Sequence, residues 1–188
     1  MTAPLFFVLW LALAIVAGLS GQVDGLRPPV PQIILLGLTA GLIALERRAR
    51  WLRDWVAGIG TRTLVALHLT RFIGILFLVM GQRNELNNAW AIPSGWGDIA
   101  VASLAGVLLV TGADPGGNRR ALYRIWNGLG LLDLAFVVIN AARLAFEDPF
   151  SMQTLLRWPL SLVVTFLVPI LLATHVWLFR RLTASPKA

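Results

Sequence analysis

The chain has 188 residues, of which 57% are hydrophobic and only 13% are charged, and its mean hydropathy is +0.76. Soluble domains are about 45–50% apolar and about 25% charged, so this composition excludes an ordinary soluble fold and indicates an integral membrane protein. The net charge of +7 does not predict a nucleic-acid partner, because the arginines lie between apolar runs rather than on one basic face. The chain has no cysteine, which excludes disulfides and thiolate metal sites.

The apolar runs predict an all-α fold, a single integral membrane bundle of six transmembrane helices. Each run approaches the roughly 20 residues that an α-helix needs to cross the hydrocarbon core of a bilayer. The first run has no basic residue before it, unlike a secretory signal peptide, so we expect it to remain uncleaved. The predicted spans are residues 4–20, 30–46, 63–81, 98–113, 121–146 and 155–181.

A short amphipathic segment separates the second and third spans. Between Arg47 and Val56, arginines alternate with Trp51 and Trp55, which are four residues apart and therefore lie on one face of a helix. This pattern is typical of a helix that lies in the membrane interface. We therefore expect both indole rings at the depth of the lipid headgroups.

The distribution of basic residues predicts the orientation. With six spans, both termini lie on one side of the membrane. The basic residues on that side are Arg47, Arg48, Arg50, Arg53, Arg62, Arg119, Arg120, Arg124, Arg180, Arg181 and Lys187. Those on the other side are Arg27, Arg83, Arg143 and Arg157. Because basic residues are enriched in cytoplasmic loops, we expect both termini in the cytoplasm.

Two charged residues fall deep inside predicted spans. Arg71 lies nine residues beyond Arg62, and Asp133 lies nine residues beyond Arg124, so both are roughly 13 Å deep at a rise of 1.5 Å per residue. A charge at the centre of a membrane helix costs about 2.5 to 3.5 kcal/mol on insertion scales, so it normally faces the bundle interior and a partner. We predict that the two side chains pair. The pair is either a structural contact that fixes helix register or the centre of a functional site.

Asp98 follows the sequence Gly95-Trp96-Gly97 at the predicted start of the fourth helix. An aspartate at that position accepts hydrogen bonds from free backbone N–H groups and suits the positive end of the helix dipole. We therefore predict that Asp98 caps the helix. A contact with Arg71, in which two carboxylates share one guanidinium, is the alternative.

Two asparagines and the only two histidines complete the polar candidates. Asn140 lies seven residues beyond Asp133 and therefore on the same helix face. Asn127 lies about 120° around the helix from Asp133. His68 and His175 have similar predicted depths on the third and sixth helices, so axial ligation of haem b by two imidazoles is an alternative to ordinary structural roles. No zinc or phosphate-binding motif occurs, so neither a metal site nor catalysis by a known motif is predicted.

Four stretches of the chain carry a resemblance. They are residues 71–78 (RFIGILFL), 91–99 (AIPSGWGDI), 126–134 (WNGLGLLDL) and 159–169, followed by His175. Over the third to sixth helices, the chain resembles a group of small bacterial multi-pass membrane proteins that are described only as hypothetical. The resemblance implies a bacterial inner membrane and a common interior site, but no activity. The shared polar positions that it implies are Arg71, Asp98, Asn127, Asp133 and His175.

The leading functional hypothesis is an interior site that binds or passes a small polar or anionic solute, with Arg71 as its electrostatic anchor. Its predicted ligand-binding residues are Arg71, Asp98, Asn127, Asp133, Asn140 and His175. The first alternative is a membrane enzyme that acts on a lipid-like substrate, with Asp133 as acid or base. The second is a structural or haem-bearing subunit, with His68 and His175 as haem ligands. The expected partners are the lipid bilayer and either a second copy of the chain or another membrane subunit.

Overall fold

The computed structural model describes residues 2–112 and 119–183, and within these ranges it contains helices and turns but no strand. Its α-helices, in chain order, are α1 Ala3–Leu19, α2 Val30–Arg48, α3 Arg50–Gly58, α4 Thr61–Leu67, α5 Gly74–Gln82, α6 Asn88–Val110, α7 Arg120–Glu147 and α8 Val168–Thr183. A 3-10 segment, His68–Ile73, joins α4 to α5. Another, Gln153–Leu156, follows α7, and a π-helical segment, Val163–Leu167, leads into α8.

Several of these helices are long and apolar enough to cross a membrane, which confirms an all-α bundle of membrane-spanning type. In the described ranges there are five such stretches: Val30–Arg48, Thr61–Gln82, Asn88–Val110, Arg120–Glu147 and Val163–Thr183. Helix α1 is also apolar but has only 17 residues, so the bundle does not by itself show six spans. The predicted end of the fourth span, at residue 113, lies outside the described residues.

Arginines cap helix ends at one end of the bundle, which we call the basic end. Arg62 donates to a carbonyl at the C-terminal end of α6 at 2.7 Å, and Arg124 donates to one at the end of α8 at 2.8 Å. Arg181 donates to carbonyls at the end of α3. Arg180 forms a two-pronged ion pair with the buried Glu46 of α2, at 2.7 and 3.2 Å. Guanidinium groups in these positions satisfy free carbonyls and complement the helix dipoles.

The short amphipathic helix predicted after the second span is present as α3. It begins later than predicted, because α2 continues to Arg48. Trp51 and Trp55 pack against Phe6 and Phe7 of α1, with ring centroids 5.8 and 5.3 Å apart. The two tryptophans therefore attach α1 to the basic end of the bundle.

Helix α6 begins well before the predicted fourth span. It starts at Asn88, where the Asn87 side chain caps it by accepting a hydrogen bond from a backbone N–H at 2.9 Å, and it continues through Pro93. Asp98 therefore lies inside the helix, and its prediction as a helix cap is wrong. Gly95 and Gly97 also lie inside the helix. A Cβ on Gly74 of α5 would lie 2.5 Å from the carbonyl oxygen of Gly95, so these residues permit a close approach of α5 and α6.

Prolines within two helices leave carbonyls without their usual donors, and side chains from other helices replace those donors. Pro93 has no N–H to offer the carbonyl of Ala89, which accepts instead from the Asn140 side chain of α7 at 2.9 Å. Pro169 of α8 likewise has no N–H to offer the carbonyl of Thr165. That carbonyl accepts instead from the indole N–H of Trp10 at 3.0 Å. A carbonyl left unpaired in hydrocarbon costs several kcal/mol, so these bonds fix α7 on α6 and α1 on the π-helical segment that leads into α8.

We predict that Asn140→Leu lowers the free energy of unfolding by about 1 to 3 kcal/mol, because it leaves the carbonyl of Ala89 without a donor. Pro93→Ala returns a backbone N–H to that carbonyl. In the Pro93→Ala background, Asn140→Leu should therefore cost about 1 kcal/mol less than in the original chain. Unfolding of the four proteins in detergent measures this coupling. Equal costs in both backgrounds would contradict the proposed replacement of donors.

Candidate functional site

Arg71 is the central residue of the candidate site. It lies in the 3-10 segment His68–Ile73, between α4 and α5. The residue is only 1% exposed. Its Nε donates to Oδ1 of Asp98 in α6 at 2.7 Å, and its Nη2 donates to Oδ2 of Asp133 in α7. Its Nη1 donates to the carbonyl oxygen of Gly130 at 3.0 Å. The predicted contact between Arg71 and Asp133 is therefore present, and Asp98 takes part in it.

The two carboxylates outnumber the guanidinium that they share. With all three groups ionised, the formal charge of this cluster is negative by one unit. Each carboxylate uses one oxygen for Arg71, and no other described side chain or backbone N–H donates to Oδ2 of Asp98 or Oδ1 of Asp133. Asp133 is the more accessible acid, since its side chain is 17% exposed and that of Asp98 is 7% exposed.

Two glycines make room for the polar side chains. A Cβ on Gly97 would occupy the position of the Asp133 carboxylate, and a Cβ on Gly130 would lie 2.7 Å from Cε1 of His175. Neither glycine was predicted from the sequence to be part of the site. The available signal was the presence of glycines inside apolar spans, at residues 95, 97, 128 and 130, because a glycine lets groups of a neighbouring helix come close.

The hydrogen bonds of His175 determine its tautomer. The amide nitrogen of Asn127 donates to the backbone carbonyl of His175 at 3.1 Å, so the amide oxygen faces Nδ1 of the imidazole, at 2.8 Å. That oxygen can only accept, and Nδ1 therefore carries a hydrogen. In the neutral ring, Nε2 has a lone pair, and this buried atom has no partner among the described residues.

His68 is fixed in a similar way by Thr174. The hydroxyl of Thr174 donates to the carbonyl of Leu171 at 2.7 Å, so it accepts from Nε2 of His68, at 3.1 Å. In the neutral ring, Nδ1 of His68 then has a lone pair, and it too is buried without a partner among the described residues. Both histidines therefore present unpaired acceptor nitrogens.

The histidine pair does not have the arrangement that axial ligation of haem b requires. The ring centroids of His68 and His175 are 4.3 Å apart, so the rings are in contact and leave no space for a porphyrin between them. One nitrogen of each ring is also bound by a side chain, Thr174 or Asn127. Within residues 2–112 and 119–183, no group of three or more His, Cys, Asp or Glu side chains could hold a metal ion.

The predicted polar residues therefore separate into one cluster and one outlier. The cluster, which we call the polar centre, comprises Arg71, Asp98, Asp133, the Gly130 carbonyl, His68, Asn127, Thr174 and His175. His175 joins it by packing on Gly130, whose carbonyl binds Arg71. Asn140 is not part of the polar centre. It lies on the predicted face of α7, but it binds the carbonyl that Pro93 leaves free.

We predict that Arg71→Met lowers the free energy of unfolding by about 3 to 5 kcal/mol, because it leaves the buried carboxylate of Asp98 and the partly buried carboxylate of Asp133 without a counter-charge. Asp133→Asn should cost much less, because the amide preserves shape and the remaining Arg71 and Asp98 balance each other. Adding Asp98→Asn and Asp133→Asn to Arg71→Met should recover part of the loss. Chemical unfolding in detergent measures these differences. An Arg71→Met variant as stable as Asp133→Asn would show that the guanidinium does not compensate the two acids.

Comparison with known proteins assigns a family but no activity. The family model described as a domain of unknown function, DUF8737, matches residues 28–183. The matched range contains α2 to α8 and every residue of the polar centre, and it leaves out α1. No curated protein and no solved structure matches the chain. Because the family match covers most of the sequence, the chain belongs to the DUF8737 family of domains of unknown function.

Proposed function

We propose that this chain is a multi-pass membrane protein whose polar centre binds a proton or another small species that donates hydrogen bonds. The observation that carries the proposal is an excess of acceptors. Nδ1 of His68 and Nε2 of His175 are buried and have no partner among the described residues, and two carboxylates share the single guanidinium of Arg71. A buried acceptor normally has a partner, so the centre is suited to a donor that comes from outside the chain.

The charge of the centre supports a proton or cation rather than an anion. Three of the five N–H groups of the Arg71 guanidinium donate to protein oxygens, and the two carboxylates exceed its charge by one unit. An anion would add to a negative charge that is already poorly solvated, whereas one proton or monovalent cation makes the cluster neutral. Of the small polar or anionic solutes predicted from the sequence, we therefore propose only hydrogen-bond donors and cations as ligands.

The packing of the centre supports the proton as the first candidate. Three cavities of the structure are lined by residues outside the polar centre, whereas Arg71 is 1% exposed and both histidines are fully buried. A proton needs no cavity. Ionisable residues within membrane helices commonly serve proton relays in pumps and transporters, so binding or relay of a proton is the role that we propose.

Infrared spectroscopy tests whether the centre holds a proton. We expect the purified protein to show the C=O absorption of a buried protonated carboxyl group, shifted in D2O, and we expect Asp133→Asn to remove it, since the remaining acid then pairs with Arg71 alone. Asp148→Asn, which changes an exposed acid outside the centre, is the matched control and should leave the band unchanged. Absence of a protonated carboxyl band across the physiological pH range would contradict the proposal.

We further propose that α1 is a sixth span and that the basic end of the bundle faces the cytoplasm of a bacterial cell. The apolar composition of α1 and the arginine-rich loops support this orientation. Both termini would then lie on the cytoplasmic side of the inner membrane.

Single cysteines test this topology without interference, because the natural chain has none. Membrane-impermeant maleimide applied to intact cells should label cysteine at exposed positions Gly25, Glu85 and Asp148, and it should label Asp54→Cys and Thr111→Cys only after the membrane is opened. The physical reason is that each span reverses the side on which the next loop lies. Labelling of Gly25→Cys together with Asp54→Cys on the same side would contradict a membrane-crossing α2.

A further inference from the structure

An apolar groove of about 350 Å³ lies between α1 and α2, apart from the polar centre. Side chains within residues 6–13 of α1 and 37–45 of α2 line it. The lining is apolar except for the indole N–H of Trp10, which already donates to the carbonyl of Thr165. The groove therefore offers a hydrocarbon surface without a free polar group.

The groove is open to the outside of the bundle. Leu13, in its wall, is 70% exposed. A Cβ on Gly37 or Gly41, in the opposite wall, would have no neighbour within 4 Å. Because the outer surface of a membrane bundle meets lipid, an acyl chain can enter this groove from the side.

The groove has the length of one leaflet of a bilayer. It begins at the basic end, where Phe6 packs against Trp51 of α3, and it extends along α2 as far as Gly37. Gly37 lies eleven residues before Arg48, the last residue of α2, which is about 16 Å along the helix. The hydrocarbon core of a bilayer is about 30 Å thick, so one leaflet contributes roughly 15 Å. An acyl chain reaches the same distance, from its headgroup to the middle of the membrane.

A positive charge lies where the groove meets the basic end. Arg48 is seven residues beyond Gly41 and therefore on the same face of α2 as the groove. Arg47, Arg48 and Arg50 are all exposed, and no described acidic side chain forms an ion pair with any of them. The apolar row of α2 thus ends in an unpaired guanidinium at the depth of a lipid headgroup.

We propose that this groove binds one anionic phospholipid, with an acyl chain between α1 and α2 and the phosphate at Arg48. Arg47 and Arg50 add to the positive potential that attracts the headgroup. The proposal rests on the proposed topology, in which α1 and α2 both cross the membrane, and cysteine labelling tests that topology independently.

The same charges disfavour a second copy of the chain as the occupant. Copies in one membrane share their orientation, so a symmetric contact through this groove would place two sets of exposed arginines at the same depth. Like charges repel there, whereas an anionic headgroup neutralises them.

Native mass spectrometry of the purified protein tests the headgroup preference with phosphatidylglycerol and phosphatidylcholine that carry identical acyl chains. We expect one phosphatidylglycerol to be retained more tightly than phosphatidylcholine. Arg48→Gln should lower the affinity for phosphatidylglycerol about fivefold, the effect of one basic residue at a membrane surface. Arg119→Gln is the matched control, since it removes an exposed arginine from the segment before α7, and it should change neither affinity.

Fluorescence quenching tests whether the lipid lies in the groove. Trp10 lines the groove, so the quenching by acyl-brominated phosphatidylglycerol that is lost in Trp10→Phe reports occupancy there. Gly37→Leu combined with Gly41→Leu fills the groove and should abolish this quenching. Ala40→Leu, at an exposed position on another face of α2, should leave it unchanged.

Four outcomes would overturn the proposal. The first is that Arg48→Gln binds phosphatidylglycerol as the original chain does. The second is that brominated phosphatidylcholine quenches Trp10 as strongly at the same mole fraction, and the third is that the variant with the filled groove folds and still shows the quenching. The fourth is a disulfide-linked dimer of Leu13→Cys that forms in the presence of phosphatidylglycerol, which would place a second copy in the groove. None of these outcomes depends on whether the polar centre holds a proton.

Discussion

The burial of Arg71 is the constraint on which the rest of this structure depends. A guanidinium deep inside a bundle of apolar helices is stable only with counter-charges and with donors and acceptors matched, because removal from water costs several kcal/mol per ion. Arg71 obtains its counter-charges and three hydrogen-bond acceptors by binding α6 and α7 at the same time. The 3-10 geometry places His68 on the same side as Arg71, since residues three apart are eclipsed in such a helix. One short segment thus directs both polar side chains to the interior.

The need to satisfy polar groups in hydrocarbon also explains the contacts outside the polar centre. Pro93 and Pro169 each free a carbonyl, and in each case a side chain from another helix, Asn140 or Trp10, provides the missing donor. At the basic end, arginines do the same for helix ends. These sites pair one free acceptor with one donor. The polar centre differs because it retains acceptors that the described residues do not satisfy.

Hydropathy and residue depth were enough to predict the membrane bundle and the pairing of Arg71 with Asp133, because both follow from spacing along single helices. The start of α6 could not be predicted in this way. Pro93 and the glycines near it look like a turn in the sequence, and only the contact with Asn140 from another helix shows why the helix continues. Asn140 does lie on the same face of α7 as Asp133, as predicted, but seven residues, or about 10 Å, separate the two along the helix. The helical period therefore predicts which face a residue lies on, but it does not predict which group the side chain binds.

The presence of a second acid is the strongest argument that the polar centre is more than a structural contact. One arginine and one aspartate are sufficient to fix the register of two helices, and such a pair is neutral. Asp98 is the more deeply buried acid and already balances Arg71, so Asp133 adds a negative charge that folding alone does not require. Gly97 has no side chain at the point where that carboxylate lies, so the chain makes space for the additional charge. The extra charge of Asp133 and the space that Gly97 leaves for its carboxylate are therefore the features that support the proposed binding of a proton or cation.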